Sequence, residues 1–304
     1  MTIPSYQELM LPLLQVLAAA GKELHIKESS QAVAEKLRLN EVQRQARLPS
    51  GIQTYIHNRT GWAGWYLQQA KLIEKTKRGF MKITAEGKKL LATNPSRVDN
   101  KLLAKYPSFV EKVLKASSET GSEKPEPSPS NELTPTEQIE QAYQKLNHTL
   151  ASDLLDQMGK MDPYRFEQLV IDLLFAMGYG GSRAEAAQVT QKSGDGGIDG
   201  IINEDRLGLD VIYVQAKRWQ GNVGREPVQS FVGALSGKKA NKGIFITTSD
   251  FNKNALEYIN TVQHKVILIN GKRLADLMIE HNIGVSTVRT MALKRVDSDY
   301  FEEA

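Results

Sequence analysis

A stretch with almost no apolar residues divides this chain and limits what can fold on either side of it. Residues 117–135 consist largely of Ser, Glu, Pro and Thr. Such a composition buries too little apolar surface to offset the entropy lost on folding, so we expect a disordered acidic linker. The 304-residue chain is long enough for a separate core on each side. We predict a domain over 1–97, a helical segment and the linker over 98–135, and a second domain over 136–304.

The positive charge of the chain is concentrated before the linker. Residues 1–97 carry 15 Lys and Arg against 7 Asp and Glu, whereas residues 98–160 carry 7 against 10. Residues 161–304 carry 17 against 18, so the net charge of +4 reflects an N-terminal excess. A basic excess confined to one region indicates contact with a polyanion such as DNA.

The composition argues against several classes of protein. The sequence has no run of eighteen apolar residues and no basic start followed by an apolar stretch, so we predict neither a membrane span nor a signal peptide. It has no cysteine, which excludes disulfides, thiol catalysis and zinc sites built on cysteine. We expect a cytosolic protein with no membrane partner.

The pattern of the first half is typical of a winged helix. Apolar residues at helical spacing predict helices over 6–20, 29–39 and 55–70. Residues 72–84 alternate like a hairpin with a Lys-Arg-Gly turn, and a closing helix over 85–92 follows. In a winged helix the third helix enters the major groove of DNA. A small helical domain with a solvated basic turn, or a protein-docking module, would show the same pattern.

The winged-helix interpretation assigns two groups of DNA-binding candidates. The first turn of the third helix would read base edges through Asn58, Arg59 and Thr60. The hairpin tip would hold phosphates through Lys75, Lys77 and Arg78.

The second half alternates helices and strands. We predict a helix over 164–177, then strands over 187–191, 197–202, 211–215, 242–247 and 266–270, with helices over 227–237, 252–262 and 274–280. Strands joined through helices favour an α/β domain with a mixed, partly parallel sheet and helices on its faces.

Polar residues cluster around two of these strands. Asp199 lies in the glycine-rich segment Gly-Asp-Gly-Gly-Ile-Asp-Gly, and Gln215 and Lys217 end the next strand. If the two strands pair, the three side chains meet at one edge of the sheet, because Gln215 and Lys217 share a face. A carboxylate, an amide oxygen and a lysine can hold a divalent metal and activate water. Each feature alone is also ordinary, since Asp-Gly-Gly forms turns and a terminal lysine usually reaches solvent.

Further residues near this edge allow two interpretations each. Glu167 either turns toward Asp199 or faces solvent from its helix, and Asp195 either joins the site or only shapes the turn. Arg218 could contact phosphate, and Trp219 either contacts sugar or belongs to the core. The segment Thr247-Thr248-Ser249 either binds phosphate or caps the following helix.

These motifs resemble a known family. A Glu on the first helix, Gly-Asp-Gly-Gly-Ile-Asp-Gly, Val-Gln-Ala-Lys-Arg-Trp and Gly-Ile-Phe-Ile-Thr-Thr-Ser are similar to the PD-(D/E)xK nucleases, and more narrowly to Mrr-type restriction endonucleases. Members of that group pair an N-terminal winged helix with a nuclease domain, and the resemblance covers nearly the whole chain except the linker. It implies a C-terminal restriction-endonuclease-like αβ sandwich around a mixed central sheet.

The resemblance also implies roles for the clustered residues. Asp199 would be the principal metal carboxylate, Lys217 would orient and deprotonate the attacking water, and Glu167 would be an additional carboxylate. Gln215 stands where most of the superfamily has Asp or Glu, and the Mrr branch is similar in having Gln there. A neutral amide ligand, paired with Asp199, would bind Mg²⁺ or Mn²⁺ with one negative charge fewer.

The implied activity is that of a modification-dependent, type IV restriction endonuclease acting on methylated double-stranded DNA. Such an enzyme would work in the bacterial cytosol or nucleoid, and cutting both strands would need a homodimer or a larger homo-oligomer. Two other interpretations stay open: a DNA-binding regulator with an inactive nuclease fold, and a nuclease for branched or damaged DNA.

Overall fold

The computed structural model describes residues 2–115, 132–180, 198–205, 209–294, 296 and 300. The chain divides into two compact units, Met1–Gln144 with Leu293–Ala304, and Lys145–Ala292. The first unit has one apolar core, and the second has an apolar cluster on each face of its sheet. Among the described residues no helix has both the length and the apolar character needed to cross a lipid bilayer.

The first unit combines helices with a small antiparallel sheet. Its elements are α1 (Tyr6–Ala20), β1 (Leu24–His25), α2 (Ile26–Lys36), α3 (Glu41–Gln45), α4 (Tyr55–Gln69), β2 (Ile73–Lys75), β3 (Phe80–Ile83) and α5 (Ala85–Ala92). The strand order is β1-β3-β2, with both pairs antiparallel. The predicted helices and hairpin are therefore confirmed. The sequence pattern missed α3 and β1, which are too short to show a periodicity.

Local sequence explains where the first helix begins and ends. Ser5 and Glu8 form a reciprocal capping box at the start of α1, and Gly21 ends it in the left-handed conformation at φ 64°. Leu9, Leu13 and Leu17 recur every four residues and are fully buried. This stripe packs α1 against α4 at the centre of the unit.

The segment after α5 belongs to the same core. It contains α6 (Asn100–Leu103), α7 (Pro107–Phe109) and a π-helical turn over Val110–Lys115. The predicted helical run over 100–115 is thus broken at Pro107, which cannot donate within a helix but is tolerated at its first position. Val98, Leu103 and Phe109 are fully buried in the first core. Most of the predicted linker, residues 116–131, lies outside the described residues.

The second unit is built on a mixed sheet. Its elements are α8 (Pro135–Lys160, whose first turns belong to the first unit), α9 (Pro163–Ala176), β4 (Gly200–Asn203), β5 (Val211–Lys217), α10 (Arg225–Gly237), β6 (Lys242–Thr247), α11 (Lys253–Ile259), β7 (Lys265–Ile269) and α12 (Gly271–Glu280). The strand order is β4-β5-β6-β7; β4 and β5 are antiparallel and the other pairs are parallel. The predicted mixed α/β architecture is confirmed. The strand predicted over 187–191 lies outside the described residues.

Side chains along β5 alternate between the two faces of the sheet. Ile212, Val214 and Ala216 pack into the cluster formed with α8, α9 and α12. Tyr213 lies against the other cluster, which is formed with α10 and α11. Because side chains alternate along a strand, Gln215 and Lys217 lie on the face of Tyr213.

Candidate active site

The pairing of β4 with β5 brings Asp199 next to Gln215. The antiparallel register places Gly200 opposite Val214. The residue before Gly200, Asp199, therefore lies opposite the residue after Val214, Gln215. The amide of Asp199 donates to the carbonyl of Val214 at 2.9 Å, and Asp199 Oδ2 accepts from the amide of Ala216 at 2.8 Å. One carboxylate oxygen is therefore tied to β5.

Gln215 presents a buried oxygen atom without a protein partner. The residue is 5% exposed, and its Oε1 has no hydrogen-bond donor among the described residues. Leaving a buried acceptor unsatisfied costs about 1–3 kcal/mol. Such a cost is tolerated at functional sites, where the atom is completed by a ligand. A carboxylate beside an unsatisfied amide oxygen fits the oxygen-rich ligand sets that Mg²⁺ and Mn²⁺ prefer.

The electrostatics of Asp199 also favour a cation. Burial raises the pKa of the Asp199 carboxyl, and the Ala216 amide and the Lys217 charge offset part of this rise. The described residues contain no cluster of three or more His, Asp and Glu side chains. In the described part of the chain the site therefore rests on one carboxylate and one amide.

Lys217 stands at the carboxyl end of the same strand. It is half-buried and pairs with Thr247 in the parallel register of β5 and β6. Thr247 is fully buried, its hydroxyl lies 3.0 Å from Ser249 Oγ, and it accepts from the Ser249 amide at 3.2 Å. Two hydroxyl groups therefore lie at the strand end next to the lysine.

A tight contact fixes the loops around Lys217. The Thr248 amide donates to the Lys217 carbonyl at 3.3 Å, and Thr248 Oγ1 donates to the Trp219 carbonyl at 2.9 Å. A β-carbon at Gly271, the first residue of α12, would overlap the Thr248 carbonyl oxygen. Glycine is thus required at position 271 to let α12 approach this loop closely.

Glu167 lies on a different layer from the other three residues. It is on α9, whose apolar side packs on the face of β5 that carries Ile212 and Val214. Gln215 and Lys217 lie on the opposite face. The structure thus does not bring Glu167 onto the face of the Asp199–Gln215 pair, and its membership of the site stays a prediction. Asp195 lies outside the described residues.

Arg218 and Trp219 follow Lys217 directly. Arg218 Nη1 donates to the carbonyl of Gly159 at the end of α8. Trp219 is 42% exposed and is therefore not a core aromatic residue. The predicted contact of both residues with DNA stays a prediction.

The predicted base readers of the first unit are covered. Asn58 Oδ1 accepts from Thr134 Oγ1 at 2.7 Å, and Arg59 Nε lies 2.6 Å from Glu137 Oε1. Thr60 is fully buried, and Asn58 is only 5% exposed. The expectation that Asn58, Arg59 and Thr60 read base edges does not fit this arrangement, because the start of α8 packs over their part of α4.

The cations of the hairpin occupy the positions expected of them. Lys75, Lys77 and Arg78 are all exposed at the connection between β2 and β3. Lys77 pairs with Glu23 at 2.7 Å, and its Nζ lies 4.2 Å from the centre of the Phe80 ring. The tip is thus an exposed basic surface, although phosphate binding by it stays a prediction.

Comparison with known proteins decides the family. The Mrr N-terminal domain model matches residues 6–93, and the restriction endonuclease model of the Mrr catalytic domain matches residues 158–278. The type IV methyl-directed restriction enzyme EcoKMrr of Escherichia coli K12 is 37% identical over 308 residues, covering 99% of this chain and 100% of the relative. The chain belongs to the Mrr family. The resemblance seen in the sequence motifs is therefore confirmed.

Two solved structures are similar to parts of this Mrr-family chain. The MspJI restriction endonuclease in complex with a 27-mer oligonucleotide is 25% identical, with 44% of this chain and 33% of that chain covered and a TM-score of 0.35. The DNA modification-dependent restriction endonuclease AspBHI is 18% identical, with coverage of 70% and 56% and a TM-score of 0.36. The chain thus spans a third to about half of these two larger chains.

The buried ion pair between Arg59 and Glu137 allows a test of how firmly the start of α8 packs on α4. Replacing Glu137 by alanine leaves Arg59, whose side chain is 11% exposed, without its carboxylate. Breaking such a pair costs about 3 kcal/mol, so the urea midpoint for unfolding of the first unit should fall. The control is Glu140→Ala, which removes an exposed bond to Ser50 and should cost below about 1 kcal/mol. Equal midpoints for the two variants would contradict the burial of the pair.

Proposed function

We propose that this Mrr-family protein hydrolyses the phosphodiester backbone of methylated double-stranded DNA at the edge formed by Asp199, Gln215 and Lys217. The observation that carries the proposal is the unsatisfied Gln215 Oε1 beside the half-buried Asp199 carboxylate. A purely structural pair would have closed this gap with a donor of its own. The neighbouring lysine supplies the third group that phosphodiester hydrolysis needs.

A divalent ion, Mg²⁺ or Mn²⁺, is the cofactor that these residues fit. Asp199 and Gln215 would hold it through oxygen atoms. When bound, the ion would polarise the scissile phosphate and neutralise charge that develops on it. Because Gln215 contributes no charge, this site binds the ion more weakly than a pair of carboxylates would.

The chain's own residues do the rest. Lys217 lies two residues after Gln215 on the same face, so its ammonium group can orient the attacking water and hold or release a proton there. Ser249, which is half-buried beside Thr247 at the adjacent strand end, can donate a hydroxyl hydrogen bond to a phosphate oxygen. Arg218 and the exposed Trp219 would contact the backbone next to the cut. By the family resemblance Glu167 would be an additional carboxylate, although α9 packs on the other face of β5.

The choice of substrate follows from the family and from the first unit. EcoKMrr is described as methyl-directed, and we extend that property to this chain. The basic hairpin with Lys75, Lys77 and Arg78 would hold phosphates of the duplex. Two antiparallel strands need two symmetry-related sites for a double-strand cut, so the active species is a homodimer or a larger homo-oligomer.

Asp199→Ala tests the proposed site directly. Removing the Asp199 carboxylate should reduce cleavage of methylated plasmid in Mg²⁺ by at least about 1,000-fold. The affinity for DNA, measured by fluorescence anisotropy, should be unchanged, because the readers lie in the other unit. Asp276→Ala, a substitution on α12, is the control and should cut normally. Full cleavage by purified Asp199→Ala would overturn the assignment.

A further inference from the structure

The first unit has a cleft that the sequence motifs did not predict. It has a volume of about 740 Å³ and lies between α2, α3 and the start of α4. It is lined by cations, amides and a few apolar residues, among them Lys27, Arg44, Arg47, Gln31, Gln53 and Ile52. The cleft is distinct from the covered surface of α4 that carries Arg59.

The lining of the cleft has more positive than negative side chains. In the described part of the chain, Lys27, Arg44 and Arg47 form no ion pair, whereas Arg59 and Lys77 do. Like charges around one cleft repel one another, and a bound anion would relieve this repulsion.

The pKa of His57, which also lines the cleft, is affected by the same positive charges. Burial lowers the pKa of His57, and the positive charges of Lys27 and His25 lower it further. Glu41 also lines the cleft, but its Oε1 accepts from Gln45 Nε2 at 2.9 Å. The acidic residue is thus engaged by an amide and not by the cations.

Backbone carbonyls hold two guanidinium groups in place. Arg44 Nε donates to the Leu39 carbonyl at 2.8 Å, and Arg47 Nη1 donates to the Gly51 carbonyl at 2.9 Å. Each guanidinium carries five N–H donors, so most of them stay available to a ligand. A guanidinium fixed in this way loses little side-chain entropy when it binds phosphate or guanine.

The cleft continues into the basic hairpin. His25 caps α2 by accepting from the Lys27 amide at 3.2 Å. Its Nε2 lies 2.8 Å from where a β-carbon at Gly79 would stand, so the imidazole is packed on the hairpin turn. The lining of the cleft and the hairpin turn are therefore neighbours through His25, two residues before Lys27.

The chemistry of the lining fits base edges as well as phosphates. Glutamine amides form paired hydrogen bonds to adenine and arginine does so to guanine, while exposed apolar side chains contact methyl groups in the major groove. Ile52 lines the cleft and is 82% exposed. Ile52 therefore presents an apolar side chain to solvent at the cleft, where the methyl group of a base could cover it.

We propose that this cleft, and not the covered residues Asn58, Arg59 and Thr60 of α4, is the DNA-reading site of the first unit, and that Ile52 contacts the methyl group of the modified base. The inference rests on the proposed function, which makes methylated duplex DNA the substrate. Arg44 and Arg47 hold the backbone or guanine, and Gln31 and Gln53 read the neighbouring base edges.

The test measures binding by the full chain without divalent metal, using short duplexes that contain 5-methylcytosine, N6-methyladenine or no modification. Arg44→Ala/Arg47→Ala should weaken binding to every duplex by at least about 10-fold and lower the salt dependence of log K by about two. The control is Lys88→Ala/Lys101→Ala, which removes two exposed cations from α5 and α6 and should change binding less than about 2-fold.

Ile52→Ser separates reading of the methyl group from general binding. It should reduce the preference for the methylated duplex by about 4-fold, the value of one buried methyl group, while leaving the unmodified duplex within 2-fold of wild type. The thermal unfolding midpoint should be unchanged, since the side chain is exposed.

Each of the other outcomes would overturn one part of the proposal, either the cleft as the DNA site or the contact of Ile52 with the methyl group. If the arginine double variant bound like its lysine control, the cleft would not be the DNA site. If Ile52→Ser weakened binding to all duplexes equally, or if wild type showed no preference for methylation, the methyl contact would be overturned. Cleavage that required Asp199 but ignored the cleft variants would leave the proposed active site intact and reject the cleft alone.

Discussion

Replacing Lys217 by methionine should lower the rate of DNA cleavage by at least about 1,000-fold, within the range by which a positioned proton-transfer group accelerates hydrolysis. The lysine lies at the carboxyl end of β5, on the face of Gln215 and beside Thr247. Methionine has a similar length and apolar stem but cannot donate or release a proton. The single-turnover rate on methylated plasmid in Mg²⁺ measures the effect.

The matched control is Lys265→Met at the exposed start of β7. It makes the same chemical change in the same sheet, away from the site, and should cut at the wild-type rate. DNA affinity should stay within a factor of about two for both variants, because one surface cation contributes little to binding. Equal losses for the two variants would show that Lys217 acts only through the charge of the unit.

Replacing Gln215 by leucine should reduce cleavage by about 100-fold or more while leaving the protein as stable as wild type or more stable. Leucine removes the unsatisfied Oε1 and keeps most of the buried volume. Replacing a buried polar atom that lacks a partner by an apolar group is neutral or stabilising. Lost activity together with retained stability is the behaviour of a functional residue.

Gln215→Glu provides the complementary test. A second carboxylate beside Asp199 should bind the divalent ion more tightly, so half-maximal cleavage should need less Mg²⁺ than in wild type. Thermal unfolding with and without Mg²⁺ gives a readout independent of activity, since ligand binding to the native state raises its stability. A leucine variant that unfolded earlier yet cut normally would mean that Gln215 is a structural residue.

The sequence predicted the Asp199–Gln215–Lys217 arrangement because it depends on local rules. Side-chain alternation places Gln215 and Lys217 on one face, and a short antiparallel connection brings Asp199 beside them. Glu167 depends instead on how a helix is rotated on the sheet, which the apolar stripe of α9 fixes only through its buried contacts. A stripe of Phe166, Val170 and Leu174 predicts a buried side but not which sheet face it covers.

The sequence could not show that a distant segment covers Asn58, Arg59 and Thr60, the predicted base readers. Asn58 and Arg59 are 76 and 78 positions away from Thr134 and Glu137 along the chain. No local periodicity reports a contact of such range. The cleft was missed for a similar reason, since α3 and the loop before α4 give no repeating pattern. Its cations were visible only as part of the N-terminal basic excess.

The most direct test of metal-dependent cleavage of methylated DNA is the cleavage of three plasmids by the wild-type protein with and without Mg²⁺. One plasmid is methylated, one is unmodified and one carries a four-way junction. The protein should make Mg²⁺-dependent double-strand cuts in the methylated plasmid and leave the other two largely intact. Equal cutting of the unmodified plasmid, preferred cutting of the junction, or no cutting of any plasmid in Mg²⁺ would contradict this expectation.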